Sequence, residues 1–129
     1  MKIASELQDL IVEHARREAP NECCGLVALR NGAAHTVHEL PNMTPSPFRF
    51  TLDSPEFARL LMDIEDAGDW YAIYHSHTRS APVPSQTDIT FGVAWPGVEW
   101  LIVGIAGERP ELRSYLIDEQ GAVTEAGVA

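Results

Sequence analysis

Basic residues, cysteines and long apolar stretches are all scarce in this chain, and each shortage excludes a class of protein. Nine Lys and Arg stand against nineteen Asp and Glu, a formal charge of -10 over 129 residues. Such a surface repels a phosphate backbone and an anionic bilayer, which argues against nucleic acid and membrane as partners. No apolar run approaches the roughly 18 residues that a spanning helix needs, and the start Met-Lys-Ile-Ala-Ser-Glu lacks the apolar stretch of a signal peptide. The expectation is a soluble, cytoplasmic protein. Its only cysteines, Cys23 and Cys24, are chain neighbours, which cannot reach ordinary disulfide geometry without distorting the peptide between them. Reduced thiols suit the cytosol. Metal ligation or nucleophilic chemistry is open to them, but the apolar run 25–29 follows directly, so they read as the start of a buried strand. Internal repeats and low-complexity segments are lacking as well.

What is present is enough for one domain with a core, since 45% of the residues are apolar. Ser5-Glu6-Leu7-Gln8 reads as a capping box, and Leu7, Leu10, Ile11, His14 and Ala15 recur at helical spacing, predicting an amphipathic helix that ends near Arg17. His14 falls on its apolar face and reads as a packed histidine. Strands are expected at 25–29 and 34–38, joined by Asn31-Gly32, a dipeptide that tolerates the positive φ of a tight hairpin. His35 and His38 would point to opposite faces of the second strand and read as surface residues. The proline-rich stretch 40–48 is an ordered loop, Phe48 to Leu52 alternates as a strand, and Ser54-Pro55-Glu56 opens a helix that buries Phe57, Leu60, Leu61 and Ile64. Strands at 70–74, 98–104 and 112–117 complete a single mixed β-sheet of about six strands flanked by helices, an α/β (α+β) domain. The apolar tail 122–129 could pack on a partner or fray.

The chemistry concentrates in His75-Ser76-His77, followed after seven residues by Ser85 and three positions later by Asp88. On a strand the two histidines share a face with Cα atoms about 6.6 Å apart, close enough for both rings to reach one ion. Asp88 joins them if the loop folds back and Ser85 opens a short helix. A catalytic zinc keeps three protein ligands and one open position, and N and O donors of this kind suit it. Ser85-Gln86-Thr87-Asp88 is also a capping box, which alone would need no metal to explain it.

These residues resemble the hallmark of the JAMM (MPN+) metalloprotease family, an upstream glutamate and then His-x-His, seven residues, Ser, two residues, Asp. Pro20-Asn21-Glu22-Cys23-Cys24-Gly25-Leu26 is similar to the family's Pro-x-Glu-x-Cys-Gly segment. The order of elements fits over nearly all of residues 1–129. The resemblance implies a JAMM/MPN, cytidine-deaminase-like fold, with His75, His77 and Asp88 as ligands of Zn2+, Glu22 as general base and Ser85 helping to stabilise the oxyanion. Nothing in spacing alone would choose Glu22 from nineteen acidic residues.

Thr78 departs from the His-x-His-Pro of the ubiquitin-removing and RadC-type members. His-Ser-His-Thr with a Pro-Ser-x-Thr-Asp segment instead resembles small bacterial members acting on ubiquitin-like sulfur-carrier proteins, including the peptidase that releases cysteine from the carrier's C-terminus. The implied activity is zinc-dependent hydrolysis after the carrier's Gly-Gly, whose tail would lie as an extended strand against a sheet edge. A broader isopeptidase removing protein conjugates is the enzymatic alternative, and a non-catalytic MPN scaffold the alternative of another class. Only one helix fits between Leu52 and Trp70, which leaves no room for an insertion that grips a second ubiquitin. Arg79 reads as a solvated arginine, with binding of a released carboxylate as the alternative. The oligomeric state stays open, a homodimer included.

Overall fold

The computed structural model describes residues 1–129 and holds three helices and one six-stranded sheet. In chain order the elements are α1 (Ser5–Glu18), β1 (Cys24–Arg30), β2 (Ala33–Leu40), α2 (Pro55–Asp66), β3 (Trp70–His77), α3 (Gln86–Gly92), β4 (Glu99–Gly104), β5 (Glu111–Ile117) and β6 (Val123–Ala126). The sheet runs β2-β1-β3-β4-β5-β6. All pairs are antiparallel except β3 and β4, which lie parallel around the crossover through α3. The mixed sheet flanked by helices is therefore as expected. Asn31 and Gly32 turn the β1–β2 hairpin with φ of 55° and 76°, a conformation that suits Asn-Gly.

Alternation along the strands divides the core between the two faces of the sheet. Val27, Leu29, Ala72, Tyr74, Leu101 and Val103 meet Ile11, Val12 and Ala15 of α1 on one side. Leu26, Ala28, Tyr71, Ile73 and Trp100 meet Phe57 and Ile64 of α2 on the other, with Ile89 and Phe91 of α3 packed at its edge. Each buried Val, Leu, Ile or Phe among them contributes on the order of 1.5–3 kcal/mol by leaving water. β3, between β1 and β4 and covered on both faces, is buried from Tyr71 to His77. Polar groups at its end therefore need partners, and those partners make the site.

Four sequence expectations are corrected. Ser5 is the first residue of α1, not its cap: Ala4 holds that position without a side-chain bond, and Gln8 donates instead to the Ile3 carbonyl at 2.9 Å. Leu10 lies on the exposed side of α1 and Val12 takes the buried place. Residues 48–52 form no strand, because the Asn42 side chain satisfies their backbone, accepting from Thr51 N at 3.1 Å and donating to the Arg49 carbonyl at 3.1 Å. The sixth strand comes from the tail: β6 pairs with β5, and Ala129 then exchanges backbone bonds with Met1 and Ile3. His14 is packed as expected, its Nδ1 2.7 Å from the Tyr74 hydroxyl, while His35 is exposed and His38 half-buried. No helix is long and apolar enough to cross a membrane.

Candidate metal centre and active site

His75 and His77 stand two apart at the C-terminal end of β3 and so share its face, while Ser76 turns to the opposite side and accepts from Cys23 N at 2.8 Å. α3 begins where the loop after β3 returns. Ser85 is its N-cap, accepting from Asp88 N at 3.1 Å, and Asp88 Oδ2 accepts from Ser85 N at 3.0 Å, so the capping box is real. That box also aims the carboxylate. Asp88 Oδ2 lies 3.1 Å from Nε2 of His75 and 3.1 Å from Nε2 of His77, and the two Nε2 atoms are 3.3 Å apart. The structural cap and the chemical cluster are thus one arrangement.

This donor set fits a divalent ion on its own chemistry. His77 Nδ1 is 2.8 Å from the Ala81 carbonyl, which requires a proton there and leaves the Nε2 lone pair facing His75 and Asp88. Two imidazole nitrogens and a carboxylate oxygen, all buried and within 4.8 Å of one another, form a place that favours positive charge. Proton equilibria agree with this. Burial alone would lower the His77 pKa, yet the Asp88 carboxylate and the Ala81 carbonyl hold it above its usual value. Burial alone would raise Asp88, yet both histidines and the Ser85 amide hold its carboxyl well below the usual range.

Glu22 lies in the segment between α1 and β1, its backbone held by Ser46 and by Asn42, which donates to the Glu22 carbonyl at 3.0 Å. Glu22 is 5% exposed, and its Oε1 is buried without a hydrogen-bond partner. Burial pushes its pKa up to about 8, with His77 pulling it down and Asp88 pushing it up. A buried, unpartnered carboxyl beside a cation site is costly for folding and suited to proton transfer near neutral pH. Glu22, His77 and Ser85 line one cleft of about 290 Å³, with Pro47, Phe48, Thr78, Arg79, Ser80 and Thr87 around them. Every predicted site residue therefore belongs to this cleft or to the donor cluster at its floor. The cysteines do not: both are buried free thiols, pushed by burial up to about 12.

Several supporting residues escaped sequence reading. Phe50 stacks on the His75 ring at 4.5 Å between centroids, Ala81 orients His77 through a carbonyl, and Asn42 braces both Glu22 and Thr51. Thr78 donates to the Pro20 carbonyl at 3.0 Å and so ties the histidine loop to the Glu22 segment. Only Asn42 left a local signal, an Asn in a proline-rich loop that accepts from Thr44 N two residues on. The donors leave the end of β3, an internal strand, while the edges of the sheet are β2 and β6.

Fold and site together define a JAMM-type hydrolase domain. The family model of prokaryotic homologs of the JAB domain matches residues 4–118, and the chain belongs to that family. The CysO-cysteine peptidase of Mycobacterium tuberculosis is 38% identical over 130 residues, covering 98% of this chain and 88% of the relative. The desampylase of Haloferax volcanii is 39% identical over 111 residues, covering 79% of this chain and 78% of the relative. The crystal structure of a JAB1/MPN domain protein from Archaeoglobus fulgidus superposes with a TM-score of 0.63 at 22% identity, over 99% of this chain and 98% of that one, a likeness of fold.

Proposed function

We propose that this chain is a zinc-dependent peptidase that hydrolyses the bond after the C-terminal Gly-Gly of a ubiquitin-like sulfur-carrier protein, releasing one residue such as cysteine. The observation that carries the proposal is the convergence of His75, His77 and Asp88 on one point, in a cleft that also holds the buried, unpartnered carboxylate of Glu22. A zinc ion held by these three side chains would supply Lewis acidity toward the scissile carbonyl and toward water. Glu22 is the base: it takes a proton from the attacking water and returns it to the leaving amine. The Ala81 carbonyl keeps His77 in the tautomer that presents Nε2. Ser85 Oγ is held by Asp88 N and still has its own proton to donate toward an oxyanion at the cleft mouth.

The choice of substrate rests on the Thr78 form of the motif and on likeness to a CysO-cysteine peptidase over nearly the whole chain. Likeness to a desampylase favours a second reading, a broader isopeptidase that removes conjugated proteins from ubiquitin-like carriers. A scaffold without catalysis would have no use for an unpartnered buried Glu22, whose burial without a partner opposes folding. The test is competition between two substrates followed by intact mass: a carrier extended by one residue past Gly-Gly, and the same carrier joined by an isopeptide bond to a folded protein. Faster loss of the single residue supports the first reading. Faster release of the protein supports the second, and cleavage of neither by zinc-loaded protein defeats both.

A further inference from the structure

We infer that Arg79 sets the length of the leaving group by binding the free α-carboxylate of a single C-terminal residue, so that the chain acts as a carboxypeptidase on its carrier rather than on longer extensions. This rests on the peptidase reading above and specifies its substrate. Arg79 is the only Lys or Arg lining the cleft that holds Glu22, His77 and Ser85. It follows His77 by two residues, so the Cα atoms of the two are at most about 7 Å apart, within the span of an extended arginine side chain.

Two further observations bear on what this arginine can bind. Arg17, Arg30 and Arg113 pair with Glu39, Asp69 and Glu111, whereas Arg79, like Arg16, Arg49, Arg59 and Arg109, has no carboxylate within ion-pair distance, and of these unpaired arginines Arg79 is the one that lines the cleft. Its guanidinium carbon sits 5.9 Å from the centroid of the Phe48 ring. Phe48 is itself 68% exposed, so it serves as a shelf for the guanidinium rather than as core. An aromatic face of this kind steadies a guanidinium and leaves its N–H fork free for a planar anion.

The chemistry of the leaving group supplies the anion. In a one-residue leaving group the carboxylate carbon is three bonds from the scissile carbon, within about 4 Å, and each added residue moves it roughly 3.5 Å further away. A cation on the cleft wall can therefore count residues. The chain's net charge of -10 opposes an arriving carboxylate at long range, and a cation on the cleft wall offsets that locally.

The test compares a carrier ending Gly-Gly-Cys as the free acid with the same carrier ending in the C-terminal amide. Both are cleaved by zinc-loaded wild type, Arg79→Lys and Arg79→Ala, with melting curves recorded to show that each variant is folded. The wild type prefers the acid by roughly tenfold in kcat/KM, as expected for one charge-assisted hydrogen bond at an exposed site. Arg79→Ala brings that ratio close to one, and Arg79→Lys keeps part of it. A wild type indifferent between acid and amide, or an Arg79→Ala variant that keeps the full preference, overturns the role of Arg79 and leaves the peptidase reading intact. Cleavage of neither substrate by the wild type overturns the peptidase reading and this inference with it.

Discussion

Replacing Glu22 by Gln should make the metal-free protein more stable and the metal-loaded protein inactive. Burial raises the Glu22 pKa from the ordinary 4.5 to about 8, so the folded chain holds this group protonated where the unfolded chain has released the proton. A raised carboxyl favours folding fully below the unfolded value and loses that contribution as pH rises toward the folded value. Between pH 4.5 and about 8 the wild type should lose stability relative to Gln at up to about 1.4 kcal/mol per pH unit. Partial access to cleft water brings the total to roughly 2–3 kcal/mol, or on the order of 10 °C in Tm for a domain of this size. Gln has no proton to lose and is nearly the same shape. Melting curves of chelated wild type and Glu22→Gln at pH 5, 7 and 9 would show the gap opening with pH. Loading with zinc should narrow it, because a cation nearby stabilises the carboxylate, while cleavage falls by several orders of magnitude in the variant alone. Parallel melting temperatures at all three pH values would refute the idea of a buried, unpaired Glu22, and loss of zinc by Glu22→Gln would refute its separation from the ligands.

Three further outcomes follow from the same contacts. His77→Ala and Asp88→Asn should each lower zinc affinity at least a hundredfold, measured by competition with a chromophoric chelator, with far-ultraviolet circular dichroism unchanged. Ser85→Ala removes the acceptor for Asp88 N, so it should cost about 1 kcal/mol in chemical denaturation, and it should also reduce kcat at unchanged zinc affinity, whereas a role confined to aiming Asp88 would lower zinc affinity as well. A methyl group on Gly25 would run into the His38 carbonyl and the Tyr74 ring, so Gly25→Ala should destabilise the chain by 3 kcal/mol or more, read as a lost or strongly lowered melting transition.

The site was more legible in the sequence than the sheet around it. His75, His77, Ser85 and Asp88 sit close together in the chain, and two local rules, strand alternation and the capping box, suffice to bring them to one point. Glu22 could be picked only through resemblance, because its approach depends on how α1 and β1 meet loop 40–48, a long-range fact with no periodic signature. The false strand at 48–52 and the missed strand at 123–126 share one cause. Alternation reports which residues are half-buried, not whether a neighbouring strand offers its backbone: Asn42 takes the bonds of Thr51 and Arg49, whereas β5 presents a free edge to the tail. Ala81 and Phe50 act through a carbonyl and a ring face, features that many residues could supply, so neither marks itself in a single sequence.

The most direct test of the central claim is titration of chelated protein with zinc, reading cleavage of a carrier extended by one residue past Gly-Gly at each step. Activity absent without metal, rising linearly and levelling at one zinc per chain is the predicted result. Full activity in the chelated protein, or none at one equivalent of bound zinc, would contradict it.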